Sequence, residues 1–313
     1  MNSRGMMKYL GLIAIILVVF TGKSTLAQED LIGTHIPDST DCDPAPQLHS
    51  RGDRIAFSSN MDGDSEIYTV NPDGTDLQQL TTNSVSDRSP AWSPDGTQIA
   101  YAHDSNLYIM NADGSNNTQI SDIVVTGSLD WAPNGELIAF TSSSNIYVVD
   151  LQTLVVTNLT NSSISQYNAD PKWSPDGTQI AYVSNGDLPP VSALDAQSLD
   201  IFIMNADGSN KTRISLNDRG LGVAGLSALN WYSDNQIIYS SGFYQSTIFS
   251  VNVLDGVINQ LTNLSLSAGL PSVSPDHQQI VYIQSGQLTI MNVDGTNPEV
   301  IITGIDNPLS PAW

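Results

Sequence analysis

Hydrophobic residues in this chain come in short runs, and a turn signal ends nearly every one. Residues 90–121 show the pattern. Ala91-Trp92-Ser93 is a short extended run entering Pro94-Asp95-Gly96. In that turn Pro fixes φ at the first position, Asp bonds its own backbone and Gly takes the left-handed position. Gln98-Ile99-Ala100-Tyr101 predicts a second strand, and residues 106–110 predict a third. Asn111-Ala112-Asp113-Gly114 reads as another hairpin turn, and residues 117–120 as a fourth strand. Past the first thirty residues, no window keeps a 3.6-residue period for about ten residues, so a helical repeat is excluded.

The unit recurs. PKWSPDG spans 171–177 and WAPNG spans 131–135. Weaker copies are WYSDN at 231–235 and PSVSPDH at 271–277; a worn one is PQLHSRG at 46–52, and SPAW closes the chain at 310–313. The Trp position of the motif falls at Leu48, Trp92, Trp131, Trp173, Trp231, Val273 and Trp313, spaced by 44, 39, 42, 58, 42 and 40 residues. All 5 Trp of the chain sit there. A four-stranded sheet cannot bury its face alone, so copies must stack around an axis. The expected fold is therefore all-β: a β-propeller of four-stranded antiparallel blades, with six complete copies giving six blades.

The segments at 90–121 and 171–215 resemble the TolB-type propeller repeat, a relative of the WD-repeat group. Both carry P-x-W-S-P-D-G, then an I-A-Y run, then M-N-A-D-G-S-N and a closing Ile-Ser. The resemblance implies a six-bladed propeller of the bacterial cell envelope. Family members with a full TolB role add an α/β domain ahead of the blades, and the stretch between Ala27 and Pro46 is too short for one. The same repeats also accompany serine peptidases and some pectin-degrading lyases, so the fold alone does not fix a function.

The first residues obey other rules. Arg4 and Lys8 precede an apolar run from Tyr9 to Phe20, and Thr25-Leu26-Ala27 supplies small residues for cleavage. Residues 1–27 therefore read as an export signal, with an uncleaved anchor as the lesser alternative because the apolar run is short for spanning. Residues 28–45 read as a polar lead-in and 46–313 as the propeller. Within it, residues 310–313 are expected to return to blade one and close the ring.

Charge narrows the partners. The chain carries 32 Asp and Glu against 10 Lys and Arg, a net −22. Nucleic acid and anionic membrane surfaces need basic patches and are excluded as partners. Cys42 is alone, so there is no intrachain disulfide and no multi-cysteine metal site.

Strand order places candidate sites on two faces. The turns after the first and third strands of each blade share one, here the turn face, and crowd it with Asp73, Asp95, Asp113, Asp176, Asp207, Asp255, Asp276 and Asp294. The other connections share the opposite face. Residues 185–198 and 217–227, the latter with Arg219, lengthen that connection face and account for the spacing of 58. Insertions in repeat proteins commonly mark the binding face, so a protein or a surface glycan is expected to dock there. Asn60-x-Asp62-Gly63-Asp64-x-Glu66 has calcium-ligand chemistry, but its Glu comes too early for the helix-loop-helix loop. Solvated turn carboxylates are the first reading there and Ca2+ near Asp62, Asp64 and Glu66 the second. His35, His49, His103 and His277 form no ligand pattern, and no Gly-x-Ser-x-Gly elbow occurs. No catalytic, cofactor or metal residues are assigned. The expected function is an exported binding module, ahead of a polysaccharide lyase or hydrolase working from the propeller face and of a purely structural module.

Overall fold

The computed structural model describes residues 54–162, 166–186, 199–214, 226–242, 246–263, 266–303, 305 and 308–313. All regular structure among them is β. The strands are β1 (Ile55–Ser59), β2 (Glu66–Val70) and β3 (Gln78–Gln79), then β4 (Asp87–Trp92), β5 (Gln98–His103), β6 (Asn106–Asn111) and β7 (Thr118–Ser121). The series continues with β8 (Leu129–Trp131), β9 (Leu137–Ser142), β10 (Asn145–Asp150) and β11 (Val156–Asn158), then β12 (Asn168–Trp173), β13 (Gln179–Ser184), β14 (Asp200–Asn205) and β15 (Thr212–Ile214). It ends with β16 (Leu226–Ser233), β17 (Gln236–Ser241), β18 (Thr247–Asn252), β19 (Ile258–Gln260), β20 (Ala268–Val273), β21 (Gln279–Gln284), β22 (Gln287–Asn292), β23 (Glu299–Ile302) and β24 (Leu309–Ala312). Among the described residues they form six four-stranded sheets, each a blade of the propeller.

Five blades use consecutive strands, from β4–β7 (blade 2) to β20–β23 (blade 6). Blade 1 has the order β24-β1-β2-β3. Its innermost strand thus comes from residues 309–312, with Ala312 opposite Ala56 and Leu309 opposite Ser58. The export signal and the lead-in lie outside the described residues. So do most of 185–198 and 217–227.

Each seam between neighbouring blades is filled by one apolar cluster. Trp131 joins Ala100, Leu107 and Phe140 between blades 2 and 3. Trp173 joins Ile146 and Tyr182 between blades 3 and 4, and Trp231 joins Val183 and Ile203 between blades 4 and 5. Trp92 and Trp313 pack at the edges of the 1–2 and 6–1 clusters, while Val273 holds the equivalent place between blades 5 and 6. The motif's Trp is therefore a wedge that each blade drives against the blade before it. Two of the wedges are also tied: Trp131 Nε1–H donates to Ala91 O at 3.1 Å and Trp231 Nε1–H to Lys172 O at 3.1 Å. A buried indole gains both its apolar area and a bond for its one donor this way.

The second hairpin turn serves the seams too. Gly295 sits at φ +84°, and a Cβ built there would lie 2.5 Å from Leu261 O of blade 5. Left-handed geometry and close approach both demand Gly at this position.

The innermost strands of blades 2, 4 and 6 begin well upstream of the Trp motif, further than the sequence pattern marks. Each bends at a bulge, with the register shifting between Arg88 and Ala91, Ala169 and Lys172, and Gly269 and Ser272. The residue before Pro adopts positive φ at Ser89 (+55°), Asp170 (+53°), Leu270 (+56°) and Ser310 (+47°). Non-glycine residues pay about 1–2 kcal/mol for that conformation. These are four of the 16 non-glycine residues with positive φ among the described residues, so the inner strands carry part of the backbone strain and turns elsewhere carry the rest.

Candidate functional site

The innermost strands surround an axial channel. A cavity of about 280 Å³ opens on the turn face, and all six blades contribute to its wall. The wall includes the edges of Trp92, Trp131, Trp173, Trp231 and Trp313, and His277 and Pro275 stand exposed at the rim. A second cavity of about 70 Å³ lies around the strained residues further along the inner strands, lined by Ser89, Asp170, Leu270 and Ser310 among others. Lys172 borders both cavities and marks the waist between them.

Lys172 is held by its neighbours. Its Nζ lies 3.3 Å from Asp130 Oδ1 and donates to Leu129 O at 3.4 Å. The second oxygen of Asp130 accepts the Trp173 backbone N–H at 2.7 Å. Burial pushes the Asp130 carboxyl upward, and the Lys172 charge and the Trp173 N–H pull it partly back. Burial also raises Asp170, against the Lys172 charge. The indole N–H groups of Trp92 and Trp173 are buried and have no hydrogen-bond partner in the protein. The channel therefore presents one ammonium and two carboxyls of raised pKa inside an apolar ring, and the two indole N–H groups are closed off from it. Sequence reasoning singled out none of Asp130, Asp170 or Lys172. The available signal was the position before the Trp, which reads Ala91, Asp130, Lys172, Asn230, Ser272 and Ala312 and carries charge in only two copies.

The Asp-rich turn face is different. Ser93 Oγ–H donates to Asp95 Oδ1 at 2.7 Å, and Ser174 and Ser274 do the same for Asp176 and Asp276 at 2.6 Å. These hydroxyl bonds, with backbone N–H bonds behind them, hold the three carboxyls below their usual range. Ser209 and Thr296 do so for Asp207 and Asp294. The carboxylates are engaged by the turns that contain them.

On the connection face, Glu66 is fully buried and accepts the Asn83 N–H at 2.7 Å. Burial, ahead of the neighbouring Asp87, pushes Glu66 upward. Asp62 accepts the Gln79 side-chain amide at 2.5 Å, and Asp64 Oδ2 is buried without a partner. Among the described residues, no three or more His, Cys, Asp or Glu are arranged to hold a metal ion. His103 Nδ1 lies 2.6 Å from Asp87 Oδ1 in blade 2, and His277 is at the channel rim, so the structure does not bring the two together. His35 and His49 lie outside the described residues. No helix among the described residues is long and apolar enough to cross a membrane.

These two groups of carboxyls give stability opposite pH dependences. A carboxyl with a depressed folded-state pKa stabilises the fold above its unfolded value, about pH 4, and loses that contribution as pH falls through the folded value. A carboxyl with a raised folded-state pKa stabilises on acidification, and that contribution is lost as pH rises through the folded value. Asp95, Asp176, Asp276, Asp207 and Asp294 belong to the first group; Asp130, Asp170 and Glu66 belong to the second. The thermal midpoint is expected to hold or rise from about pH 7 to 5 and to fall below about pH 4. Calorimetric scans across that range test this. Asp95→Asn should flatten the acid limb and Asp170→Asn the upper one, and a midpoint that keeps rising below pH 4 would contradict the assignment.

Residues 33–143 match the family described as PD40, the TolB beta propeller domain. The Tol-Pal system protein TolB of Desulfosudis oleivorans is 52% identical over 48 residues, 15% of this chain and 11% of that one. The Protein TolB homolog of Chlorobium luteolum is 31% identical over 142 residues, 42% of this chain and 32% of that one. The chain thus matches a third or less of the length of these curated relatives. Among solved structures, TolB from Acinetobacter baumannii superposes with a TM-score of 0.69 at 22% identity, covering 85% of this chain and 67% of its own. An oligogalacturonate lyase in complex with manganese superposes with a TM-score of 0.55 at 17% identity, covering 80% of this chain and 74% of its own. These two superpositions speak to the fold.

Proposed function

We propose, from the premise that the chain is a TolB-like six-bladed β-propeller, that it serves as a protein-binding module in the periplasm or outside the cell. The carrying observation is the axial cavity of about 280 Å³, walled by every blade and fitted with the Lys172–Asp130 pair. A cleft of this kind accepts a projecting polypeptide segment. Its apolar ring would hold side chains, and the Lys172 ammonium would take a backbone carbonyl. The net charge of −22 turns away nucleic acid and favours partners that are neutral or basic where they dock. One relative's name places it in the Tol-Pal system, which makes a Pal-type protein the first partner to try. The lengthened connection face, 185–198 and 217–227, is the second docking surface in this reading.

Calorimetric titration of the purified chain with a purified Pal-type protein from the same source tests the proposal. Pro175→Lys and His277→Lys alter only the cavity rim and place like charge before a basic partner, so they should weaken binding about tenfold or more, with melting unchanged. If they do not, and shortening 185–198 and 217–227 abolishes binding, docking moves to the connection face. Metal-dependent turnover of an acidic polysaccharide, lost in the rim variants, would replace the binding reading with the lyase one.

A further inference from the structure

A second, larger pocket lies off the axis, where blade 4 faces blade 3. It measures about 440 Å³. Its floor comes from cross-strand neighbours: Tyr182 lies opposite Phe202, and Phe202 opposite Arg213, so the three share one face of the blade. The two rings pack with centroids 5.7 Å apart. Blade 3 supplies Thr160 and Ser162 across the seam, and Lys211 joins Arg213 at the wall. At Gly186 a Cβ would come within 2.8 Å of Phe202 Cζ, so Gly leaves the ring edge uncovered.

The hydrogen-bonding capacity of this pocket is spent unevenly. Thr160 Oγ1 donates to Asn145 Oδ1 at 2.9 Å and accepts the Ile146 N–H at 3.0 Å. Ser184 Oγ donates to Asn168 Oδ1 at 2.9 Å and accepts the Gly186 N–H at 2.9 Å. Asn168 Nδ2 is used on Ser144 O and Ser162 Oγ. What is left is donor capacity. Arg213 pairs with the buried Asp200 through Nη2, but its Nε–H is buried and has no partner. Lys211 Nζ spends one of its three protons, on Gly208 O at 2.7 Å. Ser162 Oγ receives the Asn168 bond and keeps its own proton. Two cations line the pocket, of which Arg213 alone is paired with a carboxylate, in a chain whose net charge is −22. Donors without acceptors, beside an aromatic floor, match an anion carried on an apolar body.

We infer that the pocket bounded by Phe202, Lys211 and Arg213 binds an organic carboxylate with an apolar side group. The carboxylate lies between the Arg213 guanidinium, the Lys211 ammonium and the Ser162 hydroxyl, and the side group lies against Phe202. Such a ligand comes either as a free acid or as the last residue of a polypeptide. The site is separate from the channel, and its test uses no partner protein, so its failure leaves the binding reading above untouched.

The test is calorimetric titration of the full chain with N-acetylphenylalanine, its amide, acetate, sulfate and a tripeptide ending in Phe with a free terminus. N-acetylphenylalanine should saturate one site. The amide, acetate and sulfate should each bind at least about tenfold more weakly, because each lacks either the charge or the ring. Lys211→Gln, an exposed change, should weaken binding about three- to tenfold. Gly186→Ala, which covers the ring edge, and Arg213→Gln should remove it, with melting curves showing whether each variant is folded. A tripeptide that binds tighter than the acetylated residue identifies a chain end as the source, and equal affinities identify a free acid. The inference is overturned if acid and amide bind alike, if none of the probes saturates, or if folded Lys211→Gln and Gly186→Ala chains bind like the wild type.

Discussion

Deleting residues 308–313 lowers the thermal midpoint by about 10 °C or more and leaves a chain prone to self-association. Three losses combine. Blade 1 loses its innermost strand, β24, and with it the pairing of Ala312 to Ala56 and of Leu309 to Ser58. The Ser58 hydroxyl loses the Leu309 carbonyl that it binds at 3.3 Å. The seam between blades 1 and 6 loses Trp313, which packs against the cluster of Ile55, Phe57 and Leu288 and whose backbone N–H donates to Ser272 Oγ at 3.2 Å. Removing a fully buried Trp costs about 3–5 kcal/mol, and the half-buried Trp313 belongs at the low end of that range. Each kcal/mol moves the midpoint of a domain of this size by about 2–4 °C. The deletion also strips the edge of β1, whose five residues are all buried, and an uncovered apolar edge invites pairing with another chain. Differential scanning calorimetry gives the midpoint and light scattering the association. Trp313→Phe, which keeps the strand and most of the apolar area, should shift the midpoint far less. A deletion that melts within about 2 °C of the full chain would show that the seam does not depend on β24.

Gly295→Ala destabilises the protein by about 3 kcal/mol or more, whereas Gly135→Ala costs about 1–2. Both residues sit in hairpin turns on the same face with positive φ, +84° and +74°. The backbone penalty for a side chain is therefore shared. The surroundings are not. At Gly135 a new Cβ meets nothing within 4 Å, but at Gly295 it falls 2.5 Å from Leu261 O and 3.1 Å from Leu261 Cα. Those atoms belong to the backbone of the preceding blade, so the collision is relieved only by prying the seam open. Urea midpoints with unchanged slopes measure the difference. Equal costs for the two substitutions would mean that the seam yields freely and that the turn geometry alone selects Gly.

The fold could be read from the sequence because its signal is redundant. The Pro-Asp-Gly and Asn-Ala-Asp-Gly turns, the isoleucine-led strands and the single Trp position repeat often enough that weak copies such as 231–235 are interpreted by the strong ones. Each of those features has a local physical cause, either a turn that closes on its own Asp or a Trp that fills a seam. The axial site could not be read the same way. Asp130 and Lys172 occupy equivalent positions in adjacent blades, and only the packing of blade 4 against blade 3 puts the ammonium within 3.3 Å of the carboxylate. Arg213 looks like an ordinary outer-strand residue until Phe202 and Tyr182 line up beside it across the sheet. Repetition announces what the copies share, and the candidate sites sit where the copies differ. The Asp-rich turns carried the loudest charge signal, yet their carboxylates are satisfied within four-residue loops, so that signal reported turn chemistry.

The composite blade also sets a schedule. Leu309 and Ser58 are 251 residues apart, yet they share a hydrogen bond. As the polypeptide emerges from a ribosome or threads through a translocation pore, five blades can form in order of appearance from strands already present. Blade 1 must wait, because the strand nearest the axis arrives last. The loop-closure entropy grows only slowly with such a separation, so the delay costs time more than stability. Until then the nascent ring is an open arc with two unfinished ends, and both the axial cavity and its Trp313 wall are missing. The axial cavity is therefore completed in a single late step, and an assistant that shields the waiting β1 strand would act in that interval alone.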